Sequence, residues 1–579
     1  MSKKEGSTYS QEMSRALFQT LIKHTPPKTY SPLLEEVVNA LMESLSRGEL
    51  ERSIHNHNKN ELNRSELSLE HKEALLTSGW LTGVDSPMVL ENNQLSWRRW
   101  HNELNDVVHD LIQRSRFKYE GGRSQNSINV EISSNNEMLD QDQQLAIEVV
   151  SKERVILLSG GPGTGKTSTI MQMLERALCL SNNLKIGLAA PTGKAARRLQ
   201  ASIHKGIKTL DPLHKEALYA IPCNTLHRWL EAGQQGFAKN KQNPLFLDLL
   251  VIDEMSMVDL ALMKALLKAL PKSSQLLLVG DPNQLPPIGS GAIWHQLHKK
   301  KFRIHFKKGA IHLRKDYRNR GEVASLSKVL CEQGIHSFWR NLAQASSHTN
   351  FQTHDYGGSS IPPLLIKRLT KHSKKLENFT QLLLEKLSKE FQVASKEDIN
   401  LGKEEEQLLC CLEELMILCP KHYGRWGVDE VHKAFLGSLK DGISSWPQGT
   451  PIMCNTNQPE LQLANGDIGV VVGQGKSLRI LFRIFSEERK LITRFIHPAR
   501  LKALKPAFAM TIHKAQGSEA DEVILLWPES SSRSSHKNQT FGENRSYEER
   551  LLYTAITRTR KKIDLIIKPN KKILLISKQ

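Results

Sequence analysis

The sequence predicts an α/β fold in which parallel strands alternate with helices, preceded by a mostly helical N-terminal region. From residue 139 onward, short apolar runs end at turn residues and alternate with helical patterns, as in sheets that helices cover on both faces. These runs are Val155–Leu158, Ile186–Ala190, Leu249–Ile252 and Leu276–Val279. The chain has 579 residues, 39% of them hydrophobic, so it can form several domains with large cores.

Residues 1–115 are predicted to be mostly helical. Ser31 followed by Pro32 predicts the start of a helix, with Ser31 as the N-cap and Pro32 at the first helical position. Residues 116–138 are polar and contain Gly121–Gly122, which predicts a linker.

The C-terminal half contains three segments with other predicted structures. Pro362–Pro363 and the basic run Lys367–Lys375 predict a loop that leads into an amphipathic helix. Residues 447–505 contain β-branched stretches and turn residues, which predict a small β-rich insertion. Residues 529–546 are rich in serine and asparagine and are predicted to form an exposed loop.

Composition indicates which partners and compartment to expect. The formal net charge of +19 favours an anionic partner such as nucleic acid. The seven cysteines form no C-x-x-C pair, so Cys410, Cys411 and Cys419 near His422 are interpreted as reduced thiols rather than metal ligands. The sequence has no apolar run of membrane-spanning length and no apolar leader after Met1, so we expect no membrane partner and a cytoplasmic protein.

A nucleotide-binding loop is indicated between the first apolar run and the helical pattern after it. The sequence there fits G-x-x-x-x-G-K-S/T, in the strand-to-helix context that this motif requires. Its backbone N–H groups and the helix N-terminus favour phosphate, while the lysine reaches the β- and γ-phosphates and the threonine binds Mg²⁺. The predicted ATP-binding residues of the loop are Gly160, Gly161, Pro162, Gly163, Thr164, Gly165, Lys166, Thr167 and Ser168.

Two adjacent carboxylates follow the run Leu249–Ile252. Asp253 is predicted to hold Mg²⁺, and Glu254 is predicted to orient and deprotonate the attacking water. Two acids at a strand end could instead form a solvated turn, but a phosphate-binding loop upstream favours the catalytic role. Together the two motifs predict ATP hydrolysis.

Further segments resemble the motif series of superfamily-one helicases, in the same order and over residues 139–565. They are Gln143, Ala190–Ala196, Asn224–Arg228, Gly280–Pro287, Asp316–Asn319, Met510–Glu519 and Leu552–Arg558. The resemblance implies that Gln143 recognises adenine, that Tyr317 stacks on it, and that Gln284 senses the γ-phosphate. It also implies that Arg318 contacts the γ-phosphate and that Arg558 is an arginine finger. The implied catalytic residues are Lys166, Glu254, Gln284, Arg318 and Arg558.

The same resemblance implies contacts to single-stranded DNA, mainly through phosphates and stacked bases. The candidate DNA-contacting residues are Thr192, Lys194, Thr225, His513 and Gln516. Each of them could instead be an ordinary capping or structural residue.

Several segments narrow the resemblance to the RecD subunits of the RecBCD (exonuclease V) helicase–nuclease. They are Ser159–Thr167, Asn243–Leu245 with Asp248, Leu463–Gly469 and Ser86–Trp100. The resemblance implies a first RecA-like P-loop motor domain at 139–340 and a second at 341–579, with an SH3-like β insertion at about 447–505. It also implies that the N-terminal domain, 1–115, docks on a partner subunit.

The function implied by this family is ATP- and Mg²⁺-dependent 5′→3′ movement on single-stranded DNA and unwinding of double-stranded DNA. RecB-like and RecC-like subunits would complete a heterotrimer for recombinational repair, with nuclease activity on a partner. A stand-alone RecD-like helicase is one alternative, although such relatives usually carry a larger N-terminal extension. A catalytically silent scaffold is another, and the intact set of catalytic residues argues against it.

Overall fold

The computed structural model describes most of the chain. The described residues are 5–55, 67–117, 139–181, 183–207, 212–317, 321–344, 349–390, 398–399, 402–437, 442, 445–485, 491–528 and 547–568. Nearly all of the predicted linker and the whole predicted loop at 529–546 lie outside these ranges. Within them, no helix combines the length and the apolar character that crossing a bilayer requires.

The described residues of the N-terminal region form four helices and a small antiparallel sheet. The helices are α1 (Glu5–His24), α2 (Leu33–Ser46), α3 (Leu69–Ser78) and α4 (Arg98–Arg116). The strands are β1 (Glu51–Ser53), β2 (Met88–Glu91) and β3 (Gln94–Trp97), in the order β1-β3-β2. Asn92 and Asn93 join β2 to β3 with φ of +51° and +59°, the positive values that a tight type I′ hairpin turn needs. No strand is predicted from the sequence in this region.

The predicted start of α2 was one residue too early. The helix begins at Leu33, with Pro32 in the capping position rather than at the first helical position. The Ser31 hydroxyl oxygen nevertheless accepts a hydrogen bond from the Leu33 N–H at 3.3 Å. Serine thus still satisfies one of the helix's unpaired N–H groups.

A six-stranded parallel sheet follows, and it confirms all four predicted strands. Its strands are β4 (Val155–Gly160), β5 (Ile186–Ala190), β6 (Cys223–Thr225), β9 (Leu249–Ile252), β10 (Gln275–Gly280) and β11 (Ala310–Leu313), in the order β11-β4-β10-β9-β5-β6. A two-stranded hairpin consists of β7 (Ala232–Gly233) and β8 (Gly236–Phe237). The helices are α5 (Gln141–Val149), α6 (Lys166–Leu180), α7 (Gly193–Ile207), α8 (Pro212–Ala220), α9 (Leu226–Trp229), α10 (Leu260–Ala269), α11 (Ile293–His298) and α12 (Lys300–Arg303).

Both faces of this sheet are buried, because successive side chains of a strand point to opposite faces. Val155 and Leu157 of β4 belong to one apolar cluster, and Ile156 and Leu158 belong to another. This explains why the strands are continuous apolar runs in the sequence.

The N-terminal region packs on one of these faces. Leu111 of α4 lies in the same apolar cluster as Val155 and Leu157. Arg114, also on α4, is buried and donates to the carbonyl oxygens of Leu267 and Leu270 at 2.9 Å each, at the end of α10. A cation at a helix C-terminus satisfies carbonyls that have no partner within the helix.

A second parallel sheet contains five strands. They are β12 (Phe351–Asp355), β14 (Leu415–Cys419), β20 (Met510–Thr511), β21 (Ala520–Trp527) and β22 (Thr559–Ile567), in the order β12-β22-β21-β14-β20. The helices of this part are α13 (Glu322–Gln344), α14 (Pro363–Glu390), α15 (Lys403–Leu412), α16 (Val428–Leu436) and α17 (Tyr547–Ile556). The α/β fold class predicted from the sequence is therefore confirmed, whereas the exact domain limits stay a prediction.

The predicted β-rich insertion is a six-stranded antiparallel sheet. Its strands are β13 (Asp398–Ile399), β15 (Pro451–Cys454), β16 (Ile468–Val472), β17 (Arg479–Phe485), β18 (Leu491–Ile496) and β19 (Leu504–Pro506). Strand β13 precedes the range 447–505 and pairs with β18, so the sheet recruits residues from outside the predicted segment. Short 3-10 turns in the chain span Met255–Met257, Ile304–Gly309, Pro459–Leu461, Gly475–Ser477 and Pro498–Arg500.

The prediction of a loop at Lys367–Lys375 was wrong, because α14 already begins at Pro363. Proline is tolerated in the first turn of a helix, where its missing N–H is not needed. Leu365, Leu369 and Leu376 are buried at helical spacing, while the lysines between them are exposed. The basic run is therefore the solvent face of a helix.

Candidate functional site

The predicted phosphate-binding loop connects β4 to α6. Gly163 and Gly165 have φ of +81° and +80°, a conformation that favours glycine. A Cβ on Gly160 would lie 2.6 Å from a hydroxyl oxygen of the same loop, so a side chain there would force the loop apart. Lys166 begins α6, and its Nζ donates to the carbonyl oxygens of Gly160 and Gly161 at 2.9 Å each. The ammonium group thus lies across the loop at the positive end of the helix.

The other predicted loop residues continue this arrangement. The buried Thr164 hydroxyl donates to the Gly161 carbonyl oxygen at 2.9 Å, and Pro162 is half-buried. Thr167 lies in the first turn of α6, and the exposed Ser168 hydroxyl donates to the Gly165 carbonyl oxygen at 2.8 Å. The glycine-lined cradle and the helix N-terminus fit the phosphates of a nucleotide.

Asp253 and Glu254 directly follow β9, at the same edge of the sheet as the phosphate-binding loop. The Glu254 N–H donates to Asp253 Oδ1 at 2.9 Å, and Glu254 has a φ of +55°, a strained value for a residue with a side chain. Burial, and next the charge of Glu254, raise the pKa of Asp253 to about 6, while Lys166 acts in the opposite direction. The charges of Glu254 and Lys166 therefore both act on Asp253, which shows that the three side chains lie at one site.

Gln143 and Tyr317 lie together beside the loop, as expected for residues that recognise adenine. The Tyr317 hydroxyl donates to Gln143 Oε1 at 3.1 Å and to Asp140 Oδ2 at 2.8 Å. A Cβ on Gly165 would lie 2.7 Å from Gln143 Nε2, which shows how closely the amide approaches the loop. The Tyr317 N–H also donates to the carbonyl oxygen of Gly163 at 2.9 Å. Adenine recognition itself stays a prediction.

Arg558 is buried in the turn between α17 and β22 of the second sheet. Its Nε donates to the Thr554 carbonyl oxygen at 3.0 Å. Burial lowers the pKa of Arg558, and the charges of Glu254 and then Glu519 oppose that effect. The guanidinium of Arg558 therefore interacts electrostatically with Glu254, which follows β9 of the first sheet. The other predicted arginine, Arg318, lies outside the described residues.

Hydrogen bonds join the segment after β10 to the second sheet. The Tyr553 hydroxyl donates to Asp281 Oδ2 at 3.0 Å. The Leu285 N–H donates to Thr554 Oγ1 at 2.9 Å, and Gln516 Nε2 donates to the Leu285 carbonyl oxygen at 3.1 Å. Gln284 is buried, and its Nε2 lies 3.3 Å from Asp281 Oδ2. Gln284, which the resemblance implies to sense the γ-phosphate, therefore lies next to the hydrogen bonds that connect segments of the two sheets.

Two of the candidate DNA-contacting residues are helix caps in this structure. Thr192 Oγ1 accepts a hydrogen bond from the Ala195 N–H at 3.2 Å in the first turn of α7. Thr225 Oγ1 accepts from the Arg228 N–H at 3.2 Å and caps α9. Capping explains threonine at both positions, and DNA contact stays a prediction for them.

The other three candidates occupy different surroundings. Lys194 is half-buried in a cavity between α7 and the second sheet, where burial lowers its pKa to about 8 and Glu413 acts in the opposite direction. His513 Nε2 lies 3.1 Å from the Tyr547 hydroxyl. Gln516 is buried against Leu285, as described above. These roles also stay predictions.

Two ion pairs of α7 could not be predicted from the sequence. Arg198 of α7 pairs with Glu519 after β20, and its Nη1 donates to the Gly517 carbonyl oxygen at 3.2 Å. Its neighbour Arg197 pairs with Asp467 of the insertion. Both arginines belong to the run that follows Ala190–Ala196, so the basic pair was visible in the sequence, but its distant partners were not.

The cysteine-rich segment gives one close group of possible ligands among the described residues. His372, Cys411 and Glu414 have donor atoms within 4.8 Å of one another. Lys375 donates to both oxygens of Glu414 at 2.7 and 2.6 Å, and burial raises the pKa of Cys411 to about 11. The Glu414 carboxylate is therefore engaged in an ion pair with Lys375 in this structure.

The chain matches two protein-family models at its two sheets. One is described as an AAA domain and matches residues 143–290, and the other is described as a UvrD-like helicase C-terminal domain and matches residues 506–566. The first match contains the phosphate-binding loop and the acids after β9. The second contains the segments that approach this site from the other sheet.

Curated relatives resemble most of the chain. RecBCD enzyme subunit RecD of Mycolicibacterium smegmatis is 30% identical over 439 residues, which cover 74% of this chain and 70% of that protein. RecBCD enzyme subunit RecD of Buchnera aphidicola is 26% identical over 528 residues, covering 85% and 82%. The ATP-dependent RecD2 DNA helicase of Deinococcus radiodurans is 40% identical over 153 residues, but these are 26% of this chain and 19% of that protein. Among solved structures, Bacteroides Pif1 bound to ssDNA matches with a TM-score of 0.39 and 18% identity, over 75% of this chain and 94% of that chain.

Proposed function

Because this chain belongs to the RecD family of RecBCD subunits and is an ATP-dependent DNA helicase of that type, we propose that it moves 5′→3′ along single-stranded DNA. The direction rests on the family resemblance alone, whereas the observation that most supports a motor is the meeting of two sheets at one site. Lys166, Asp253 and Glu254 come from the first sheet, and Arg558 approaches Glu254 from the second. A motor needs a site divided in this way, since nucleotide can then close and open the cleft.

Each side chain has a role in this proposal. Lys166 binds the β- and γ-phosphates, and Thr167 and Asp253 hold Mg²⁺, which neutralises charge on the phosphates when bound. Glu254 orients the attacking water and accepts its proton. Gln143 and Tyr317 bind adenine, since they already lie against the loop at Gly165.

Two arginines and one glutamine complete the proposed site. Arg318 and Arg558 stabilise the charge that develops on the γ-phosphate, and Gln284 links this phosphate to the DNA. For Arg558 to act, its hydrogen bond to Thr554 must be exchanged for one to phosphate as the cleft closes. An arginine supplied in this way contributes about 10³ to 10⁵ in rate.

We further propose that closure moves DNA-contacting segments of the two sheets relative to each other. Thr192, Lys194 and Thr225 lie on or beside α7 and α9 of the first sheet, and His513 and Gln516 follow β20 of the second. Contacts to phosphates and stacked bases carry no sequence information, so this arrangement suits a translocase. If the two groups of residues bind the DNA alternately, each cycle of ATP hydrolysis would move the chain one step along the strand.

The relatives named RecBCD enzyme subunit RecD suggest the assembly in which the motor works. We propose a heterotrimer with RecB-like and RecC-like subunits that processes double-strand breaks for recombinational repair. A partner subunit would supply the nuclease, and the complex would act on DNA in the cytoplasm. A net charge of +19 is consistent with a DNA-binding subunit.

Unwinding of tailed duplexes tests this proposal. The purified chain, without partner subunits, would be given ATP and duplexes with either a 5′ or a 3′ single-stranded tail. We expect the chain to unwind only the 5′-tailed duplex. Glu254→Gln is the matched control, because it preserves the shape of the side chain but removes the base. Unwinding of the 3′-tailed duplex alone would contradict the proposed polarity.

A further inference from the structure

The turn between α2 and β1 packs against the segment that follows β10. Gly48 has a φ of +74°, and a Cβ there would lie 2.9 Å from the Pro287 carbonyl oxygen and 3.0 Å from Pro286 Cβ. The Gly48 carbonyl oxygen accepts a hydrogen bond from the Ala292 N–H at 3.0 Å. The N-terminal region therefore touches the motif that contains Gln284.

The residue before this glycine reaches the second sheet instead. The Arg47 guanidinium lies over the ring of Tyr547, 5.9 Å from its centroid, at the start of α17. Arg47 is held in place by an ion pair with Glu43 at 2.6 Å, one turn earlier on α2. The turn at Arg47 and Gly48 thus contacts the segment after β10 of the first sheet and helix α17, which packs on the second sheet.

Tyr547 connects this contact to a candidate DNA-binding residue. Its ring is stacked on His513, with centroids 6.1 Å apart and planes 28° apart, and its hydroxyl lies 3.1 Å from His513 Nε2. Burial raises the pKa of Tyr547 and lowers that of His513, so the phenol stays protonated and the imidazole neutral near pH 7. In either neutral tautomer of His513 the hydroxyl and Nε2 can share one hydrogen bond, which holds the plane of the imidazole ring.

We propose that Arg47 and Tyr547 are positioning residues for His513, so that the N-terminal region sets the geometry of the DNA contact in the second motor domain. This inference rests on the proposed role of His513 in binding DNA. The N-terminal region would then influence DNA binding by the motor, in addition to its implied role in docking on a partner subunit. Arg47 acts through the tyrosine ring, and Tyr547 acts through its hydroxyl.

Equilibrium binding of fluorescein-labelled oligothymidylate to the full chain, followed by anisotropy at fixed salt, tests the proposal without requiring turnover. Tyr547→Phe should raise the Kd about three- to tenfold, the size expected for one lost hydrogen bond. Arg47→Ala should raise it about two- to fivefold through the lost cation–π contact, and Arg47→Lys should restore most of the affinity. The KM for ATP, measured separately, should not change.

Arg99→Ala is the matched control. Arg99 lies over the ring of Trp100 at 5.7 Å on α4, so this variant removes the same type of contact from the same region, away from His513. It should leave the Kd unchanged. A variant with altered affinity must also keep the thermal unfolding midpoint of the wild type.

A cycle with His513→Ala separates the possible outcomes. We call the contacts from Arg47 through Tyr547 to His513 the relay. If Tyr547 acts through His513, Tyr547→Phe has no further effect on the Kd once His513 is alanine. A full, additive effect in that background, or equal Kd values for the Tyr547→Phe, Arg47→Ala and Arg99→Ala proteins, overturns the inference. If His513→Ala itself binds DNA normally, the proposed DNA contact at His513 fails, and the relay fails with it. A chain that binds DNA but never hydrolyses ATP would refute only the proposed motor.

Discussion

The hydroxyl of Tyr553 donates a hydrogen bond to Asp281 Oδ2 at 3.0 Å, and so joins α17 of the second sheet to the segment after β10 of the first. Both side chains are buried. The same hydroxyl oxygen lies 3.2 Å from where a Cβ on Gly161 would stand, next to the phosphate-binding loop. This bond therefore lies beside the phosphate-binding loop, at the contact between the segments of the two sheets.

Tyr553→Phe should remove this link without changing the packing of the ring. A hydrogen bond to a charged group contributes about 1.5–3 kcal/mol, and Asp281 Oδ2 would keep only the longer contact to Gln284 Nε2 at 3.3 Å. We therefore expect the kcat of DNA-stimulated ATP hydrolysis to fall roughly tenfold or more. The KM for ATP should change little, because the hydroxyl does not belong to the proposed binding loop. Steady-state kinetics beside Tyr30→Phe, whose ring is exposed, measures the effect. Equal kcat values for the two variants would contradict the link.

The Arg198–Glu519 ion pair should couple α7 to the motif after β20. Its side chains are 40% and 14% exposed, so we expect a coupling of about 1 kcal/mol rather than the value of a fully buried pair. Arg198→Ala and Glu519→Ala should each lower the DNA-stimulated kcat about fivefold, and the double variant should be no slower than either. Losses that multiply in the double variant would show that the two residues act independently.

Arg114 should anchor the N-terminal region to the first sheet. Its guanidinium donates to the carbonyl oxygens of Leu267 and Leu270 at 2.9 Å and also to that of Pro271 at 2.6 Å. Loss of these charged hydrogen bonds in Arg114→Met should lower the free energy of the first unfolding transition in urea by about 3 kcal/mol. Arg116→Met, at an exposed position two residues later, should leave that transition within experimental error of the wild type. A wild-type transition for both variants would exclude the anchor.

Lys194 should give DNA binding a pH dependence if it contacts phosphate. Burial lowers its pKa to about 8, so the ammonium is mostly protonated at pH 7 and mostly neutral at pH 9. Affinity for single-stranded DNA should therefore fall as the pH rises through this window. Lys194→Arg, which stays charged, should flatten the profile, whereas Lys205→Arg, an exposed change on the same helix, should not. Identical pH profiles for all three proteins would place the DNA elsewhere.

The sequence predicted the parallel sheets well because burial on both faces leaves a simple pattern. Ile186–Ala190 and Leu249–Ile252 are strands with the limits predicted from their apolar runs alone. The phosphate-binding loop was equally visible, since its glycines are required by positive φ and close packing. Local physics therefore determined this part of the site.

Features that depend on distant residues could not be predicted in the same way. Arg198 and Glu519 are 321 positions apart, and no local pattern pairs them. Strands β2 and β3 have four residues each, too short for alternation to stand out, and only Asn92–Asn93 marked their turn. The relay from Arg47 to His513 likewise crosses three separate parts of the chain.

We propose a DNA-dependent ATPase whose site is completed from both sheets, so the first measurement is ATP hydrolysis by the purified chain with and without single-stranded DNA. Wild type should be stimulated by DNA, and Lys166→Gln should be inactive. Arg558→Lys should still bind nucleotide but lose about 10³-fold or more in turnover. A wild-type chain that binds nucleotide yet never hydrolyses it, even with DNA and partner subunits present, would contradict the proposal.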